Sequence, residues 1–185
     1  MHTTSSQTIG PYLHIGMTWL VNENMAPEGV AGERVTIQGR MIDADGTPVN
    51  DAMVEIWQAN SHGKYAHPDD ARDLPVDKAF NGFGRVYPDE DGRFRFNTIK
   101  PGRVPGPGGA LQAPHLNINI FMRGLLKHLV TRVYFPGEDN DADPVLALVP
   151  AERRATLVAR RGDKPGALEW DVVLRGDDET VFFDY

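Results

Sequence analysis

The 185-residue chain contains no cysteine, so disulfides and thiolate-bound metal centres are excluded. No apolar run approaches the ~18 residues of a membrane-crossing helix. The opening stretch, MHTTSSQTIGPYLHIG, lacks the basic cluster and apolar core of a secretory leader. With the missing cysteine, this suggests a cytoplasmic protein. There is no excess of positive charge either. The formal net charge is −7, from 19 Lys and Arg against 26 Asp and Glu, which argues against nucleic acid as a partner. An anionic small molecule held by individual arginines remains compatible with that balance. No internal repeat or low-complexity tract is present. KPGRVPGPGGA (100–110) has neither P-loop nor dinucleotide spacing, and the acidic clusters PDDARD (68–73) and GEDNDADP (137–144) do not follow the EF-hand pattern. They read as solvated loop.

What the chain does have is glycine and proline placed between short apolar stretches. RVTIQGRMID (34–43) alternates, with Val35, Ile37, Gly39 and Met41 on one side, and leads into DADGTPVN, an Asp-Gly turn. AMVEIWQA (52–59) is a second strand, and GRVYPDEDGRFRFNTI (84–99) reads as strand, turn, strand. In HLNINIFMRG (115–124), Leu116, Ile118, Ile120 and Met122 share one face; His115, Asn117, Asn119, Phe121 and Arg123 share the other. HLVTRVYF and EWDVVLRG add two more strands, and ETVFFDY closes the chain. One segment, PAERRATLVARR (150–161), predicts a helix: it starts at Pro, with Glu early and Arg late. About seven or eight strands and one short helix predict an all-β, antiparallel β-sandwich. The chain reads as one domain over residues 1–185 with an N-terminal arm over about 1–16. The loops at 60–80 and 100–114 are long for a sandwich and are expected to serve a site or an interface.

His115 and Asn117 stand two apart on one strand. A His at both positions would offer two imidazoles to one ion, but the second is Asn. His14, His62, His67 and His128 have no mutual ligand spacing.

The stretches SSQTIGPYLHIG, VEIWQANSHGKYAH, FGRVYPDEDGRFRFNTIKPG, APHLNINIF, HLVTRVYF and ETVFFDY together resemble the intradiol ring-cleavage dioxygenases. The similarity runs from about residue 5 to the C-terminus and is greatest to the alpha chains of the family's heteromeric branch, in which alpha and beta chains of similar fold alternate. The resemblance implies a β-sandwich. It also implies a partner beta chain that binds Fe(III) through two Tyr and two His and opens a carboxylated catechol with dioxygen. This chain's matching positions are Tyr65, Val104, His115 and Asn117, and Gln112 stands where catalytic chains carry an arginine. Val104 has no donor atom and Asn117 only a neutral amide oxygen, so two of the four ligands survive. That is too few to keep a hard trivalent ion. The resemblance therefore implies an iron-free subunit with no catalytic residue of its own and with Fe(III) on the beta chain. The arm residues Thr8, Gly10, Pro11 and Tyr12 are expected to line the partner's substrate channel. Arg123 is expected to face the substrate carboxylate, with Arg132 a weaker candidate. Tyr65 and His115 are expected to survive as a polar pair, bonded to each other or to backbone. The strands and Asp-Gly turns alone would also suit a free-standing transthyretin-like or carbohydrate-binding sandwich. Against that alternative stands the similarity outside the strands, in SQTIGPY, KPG and VFFDY.

Overall fold

The structure is a computed structural model that describes residues 8–184, so residues 1–7 of the expected arm lie outside it. The strands in chain order are β1 (Arg34–Ile42), β2 (Ala52–Trp57), β3 (Phe83–Val86), β4 (Arg93–Ile99), β5 (Val104–Pro105), β6 (Leu111–Gln112), β7 (His115–Met122), β8 (Leu129–Tyr134), β9 (Arg160–Arg161), β10 (Ala167–Glu169) and β11 (Val172–Val173). One sheet runs β3-β2-β7-β8 and is antiparallel throughout. The other is built around β1. One edge of β1 pairs with β4 along its length, from Arg34↔Ile99 to Arg40↔Arg93. Its other edge takes β10 and then β11 in parallel, and β9 flanks β10. The sandwich is thus antiparallel apart from these two short pairings. β5 and β6 form a separate ribbon.

Period-two alternation sets the layers. Leu116, Ile118 and Ile120 of β7, with Val54 and Ile56 of β2, face Ile37 and Met41 of β1 and Phe94 and Phe96 of β4 in the main core. Each such side chain contributes roughly 1.5–3 kcal/mol by leaving water. The opposite parity points His115, Asn117, Trp57, Arg132 and Tyr134 to the outer face of the β3-β2-β7-β8 sheet. A smaller core of Ala113, Tyr134, Leu146, Val149 and Leu157 covers part of that face.

Two expected elements differ. Segment 150–161 is not an α-helix: Ala151–Leu157 is a 3-10 helix, and Arg160–Arg161 already belongs to β9. Ala159 donates its N–H to the Tyr134 carbonyl, and Val158 bridges to Tyr134, so the chain must be extended one residue after the helix. The longer rise of a 3-10 helix suits so short a span. The short α-helix lies instead in the arm, at Tyr12–Gly16, anchored by buried Leu13. EWDVVLRG splits into β10 and β11, because Asp171 turns its carboxylate onto the Arg40 N–H between them. The C-terminal ETVFFD is extended but not a strand. It is pinned by Thr131 to the Val181 carbonyl and by the Phe183 N–H to the Val130 carbonyl. Among the described residues no helix is long and apolar enough to cross a membrane.

Candidate functional site

The loop after β2 organises itself with its own side chains. Asn60 accepts from the N–H groups of His62 and Lys64, and its amide donates to the Pro75 carbonyl at 2.9 Å. Gly63, at φ +77°, passes so close to the following loop that a Cβ would stand 2.2 Å from the Arg103 carbonyl oxygen. A side chain there would drive the two loops apart. Asp70 closes the loop. It receives the Arg72 guanidinium at 2.6 and 2.8 Å and the Tyr65 N–H at 2.8 Å, and the Arg72 bond holds its carboxyl well below the usual carboxylate range. Lys64 donates to the carbonyls of Asp70 and Arg72. Asp70 of the PDDARD cluster is therefore a half-buried organiser with a largely covered carboxylate, not solvated surface.

Tyr65 emerges from this loop and stacks on Trp57, ring centres 5.8 Å apart and 13° from parallel. Its hydroxyl lies 3.5 Å from the Asn117 amide nitrogen. Burial pushes its phenol up, which disfavours the phenolate. Tyr65 and Val104 line one open cavity of about 970 Å³ with Trp57, Asp70, Arg72 and Pro105. The two long loops thus meet at one place. His115 sits at the start of β7, buried, with Nδ1 at 2.8 Å from the Ala113 carbonyl. Burial, helped by Arg132, pushes its imidazole down to about 4. Tyr65 and His115 thus find Asn117 and backbone as partners.

Arg132 completes the cluster. Strand register sets it opposite Asn117. Its guanidinium donates to Gln112 Oε1 at 2.6 Å and lies 3.4 Å from the Tyr134 hydroxyl. That hydroxyl donates to Asp143, which is 0% exposed and also accepts the N–H groups of Ala113, Val145 and Leu146. Asp143 belongs to GEDNDADP and is buried, contrary to the solvated-loop expectation. Its place had no signal in the sequence, whereas that of Arg132 follows from strand parity once the register is known.

Tested as a ferric site, this set does not fit. Val104 is buried and donorless, Asn117 is a neutral amide, the Tyr65 phenol resists ionisation, and a guanidinium shares the space. Among the described residues no cluster of three His, Asp or Glu side chains could hold a metal ion.

The second predicted group gathers at the other end of β7. Thr8 Oγ1 accepts the Gly124 N–H at 3.0 Å and donates to the Met122 carbonyl at 3.3 Å, clasping the backbone on either side of Arg123. Arg123 lies just past the strand end. Its side chain is 86% exposed, with Nε 3.1 Å from Asp51. Gly10, Pro11 and Tyr12 follow Thr8 on the exposed arm. Eight residues of strand put this cluster roughly 25 Å from His115.

Residues 20–176 match a family profile described as Dioxygenase. The chain is 44% identical to the protocatechuate 3,4-dioxygenase alpha chain of Burkholderia cepacia, over 98% of this chain and 96% of that one. It is 39% identical to the alpha chain of Pseudomonas putida over the same shares. Against the Burkholderia cepacia beta chain the identity is 40%, over 80% of this chain and 67% of that one. Among solved structures, hydroxyquinol 1,2-dioxygenase of Pseudomonas putida shares the fold at a TM-score of 0.64 and 23% identity, over 94% of this chain and 67% of that one. The sandwich, the two loops converging on Tyr65 and the end-to-end identity to alpha chains lead to one conclusion: this chain belongs to the intradiol ring-cleavage dioxygenase family.

Proposed function

We propose that this chain is the iron-free alpha subunit of a heteromeric protocatechuate 3,4-dioxygenase, in which it packs on a catalytic beta chain and completes that chain's substrate pocket. The enzyme cleaves protocatechuate with O2, between its two hydroxylated carbons, to 3-carboxy-cis,cis-muconate. The observation that carries the reading is a broken ligand set, Tyr65, Val104, His115 and Asn117, inside a chain similar to alpha chains from end to end. Fe(III) is then bound by the beta chain. The chain serves as one sandwich domain with its arm, in the cytoplasm.

The placement of the arm supports the shared pocket. Thr8 is bonded to the backbone on either side of Arg123, roughly 25 Å along β7 from the vestigial site, and exposed Gly10, Pro11 and Tyr12 follow Thr8 on the arm. That distance and exposure support their serving a neighbour's pocket rather than that of their own chain. A guanidinium there suits the carboxylate of protocatechuate. The free-standing binding module is not favoured, because the identity extends through the arm and loops.

The test is co-expression with a beta-type companion, followed by separation of the chains and metal analysis. Iron and tyrosinate-to-iron visible absorption should follow the companion, and this chain alone should show negligible turnover. Near-stoichiometric iron in the separated chain would overturn the reading.

A further inference from the structure

We propose that Arg132 is the resident cation of the vestigial site: its guanidinium takes over the charge of the pocket and excludes a metal ion, so restoring the two missing donors does not by itself restore iron. The guanidinium arises from β8 directly opposite Asn117. It is fixed by Gln112, the residue standing where catalytic chains are expected to carry an arginine, through a 2.6 Å bond. A guanidinium thus enters this pocket from β8, the strand beside β7, and donates to Gln112.

Three features show a built arrangement. The charge is balanced inward, because the Tyr134 hydroxyl links Arg132 to buried Asp143, whose two oxygens take four donors. A charge removed from water needs such partners. Second, Arg132 lies directly across the strand pair from Asn117, whose amide nitrogen is 3.5 Å from the Tyr65 hydroxyl. Third, His115 turns Nδ1 to the Ala113 carbonyl at 2.8 Å and pairs across the strands with Tyr134, whose hydroxyl bonds Arg132. A trivalent ion placed among these groups would meet a fixed like charge at short range, in a medium that screens it poorly.

The inference rests on the subunit reading for its setting, and the two fail separately. Assembly with the beta chain and turnover of the parent enzyme report on that reading; the metal count reports on this one. In the assembled enzyme, Val104→Tyr with Asn117→His should leave iron per alpha–beta pair unchanged. Adding Arg132→Gln should raise it about twofold, with a matching gain in tyrosinate-to-iron absorption. Arg132→Lys in its place should hold it at the parental level, because the charge persists. A gain of iron in the double variant, or no gain in a folded and assembled Arg132→Gln triple variant, would overturn the proposal. A second variant covers a triple variant that fails to assemble: Val104→Tyr and Asn117→His with Arg132→Met, which keeps an unbranched side chain without its charge, should give the same gain of iron. No gain in that variant, once assembled, would equally overturn the proposal.

Discussion

Burial holds the His115 imidazole down to about 4, against an ordinary value of 6.5, because the ring is enclosed and Arg132 stands near it. Between these values the unfolded chain takes up a proton that the folded chain refuses. Its contribution to stability is complete above about pH 6.5 and is lost as the pH falls towards 4, up to about 3 kcal/mol. Urea unfolding from pH 7 to 4 should show this slope, and His115→Gln should flatten it by a comparable amount. Asp70 does not confuse the comparison, since Arg72 keeps it ionised throughout the range. At the other end of β7, Arg123 makes one ion pair in the described structure, to Asp51. In the assembled enzyme Arg123→Ala should raise KM, or lower kcat/KM, for carboxylated catechols by about tenfold or more, the size of one charge-assisted contact. Plain catechol should be little affected. Equal effects on both substrates, measured by steady-state kinetics, would remove Arg123 from substrate binding.

The join between β1 and the β10–β11 edge depends on an absent side chain. A Cβ on Gly39 would stand 1.7 Å from the Trp170 carbonyl oxygen, the residue between the two parallel segments. Trp170 also donates its N–H to the Gln38 carbonyl there. Gly39→Ala should therefore cost at least about 2 kcal/mol in urea unfolding, by forcing that edge off β1. Sequence alternation placed Gly39 on the core face with Val35, Ile37 and Met41, but could not show the carbonyl it makes room for. The same limit runs through the fold. Strands that bury one face carry their parity in their own residues, so β1, β2 and β7 were legible and so was the outward set His115, Asn117. Features set by a neighbour were not. The 3-10 turn at Ala151–Leu157 follows from pairing with Tyr134, and the parallel edge follows from register. Asp70 and Asp143 looked like surface charge because nothing in PDDARD or GEDNDADP records the buried donors that converge on them. In the site, Val104 and Asn117 stood at positions that only the resemblance assigned to ligands, whereas the cation opposite Asn117 required the β7–β8 register.

For the whole molecule, exposed apolar side chains are scattered singly at Val76, Leu111, Leu126 and Leu148, and run together only along the arm and the turn after it, among the described residues. Tyr12, Ile15 and Trp19 are each about three-quarters exposed and lie within eight residues of one another, with Met17 and Val21 also partly uncovered. Single exposed apolar residues need no explanation, but a run of large ones marks an interaction surface. Trp19 is also held ready: its indole N–H donates to the Gly16 carbonyl at 2.9 Å, so little side-chain freedom is lost on docking. Tryptophan and tyrosine commonly dominate interface energies. If this arm seats against the beta chain, Trp19→Ala should weaken alpha–beta association by about tenfold or more, about 1.4 kcal/mol, with Tyr12→Ser and Ile15→Ser adding to the loss. The isolated chain's thermal unfolding should hardly move, because these side chains contribute little to its own core. Sedimentation of the mixed chains against calorimetry of the single chain separates the two effects. An arm that matters only to its own fold would lower the melting temperature and leave association unchanged; an arm built for the partner does the reverse.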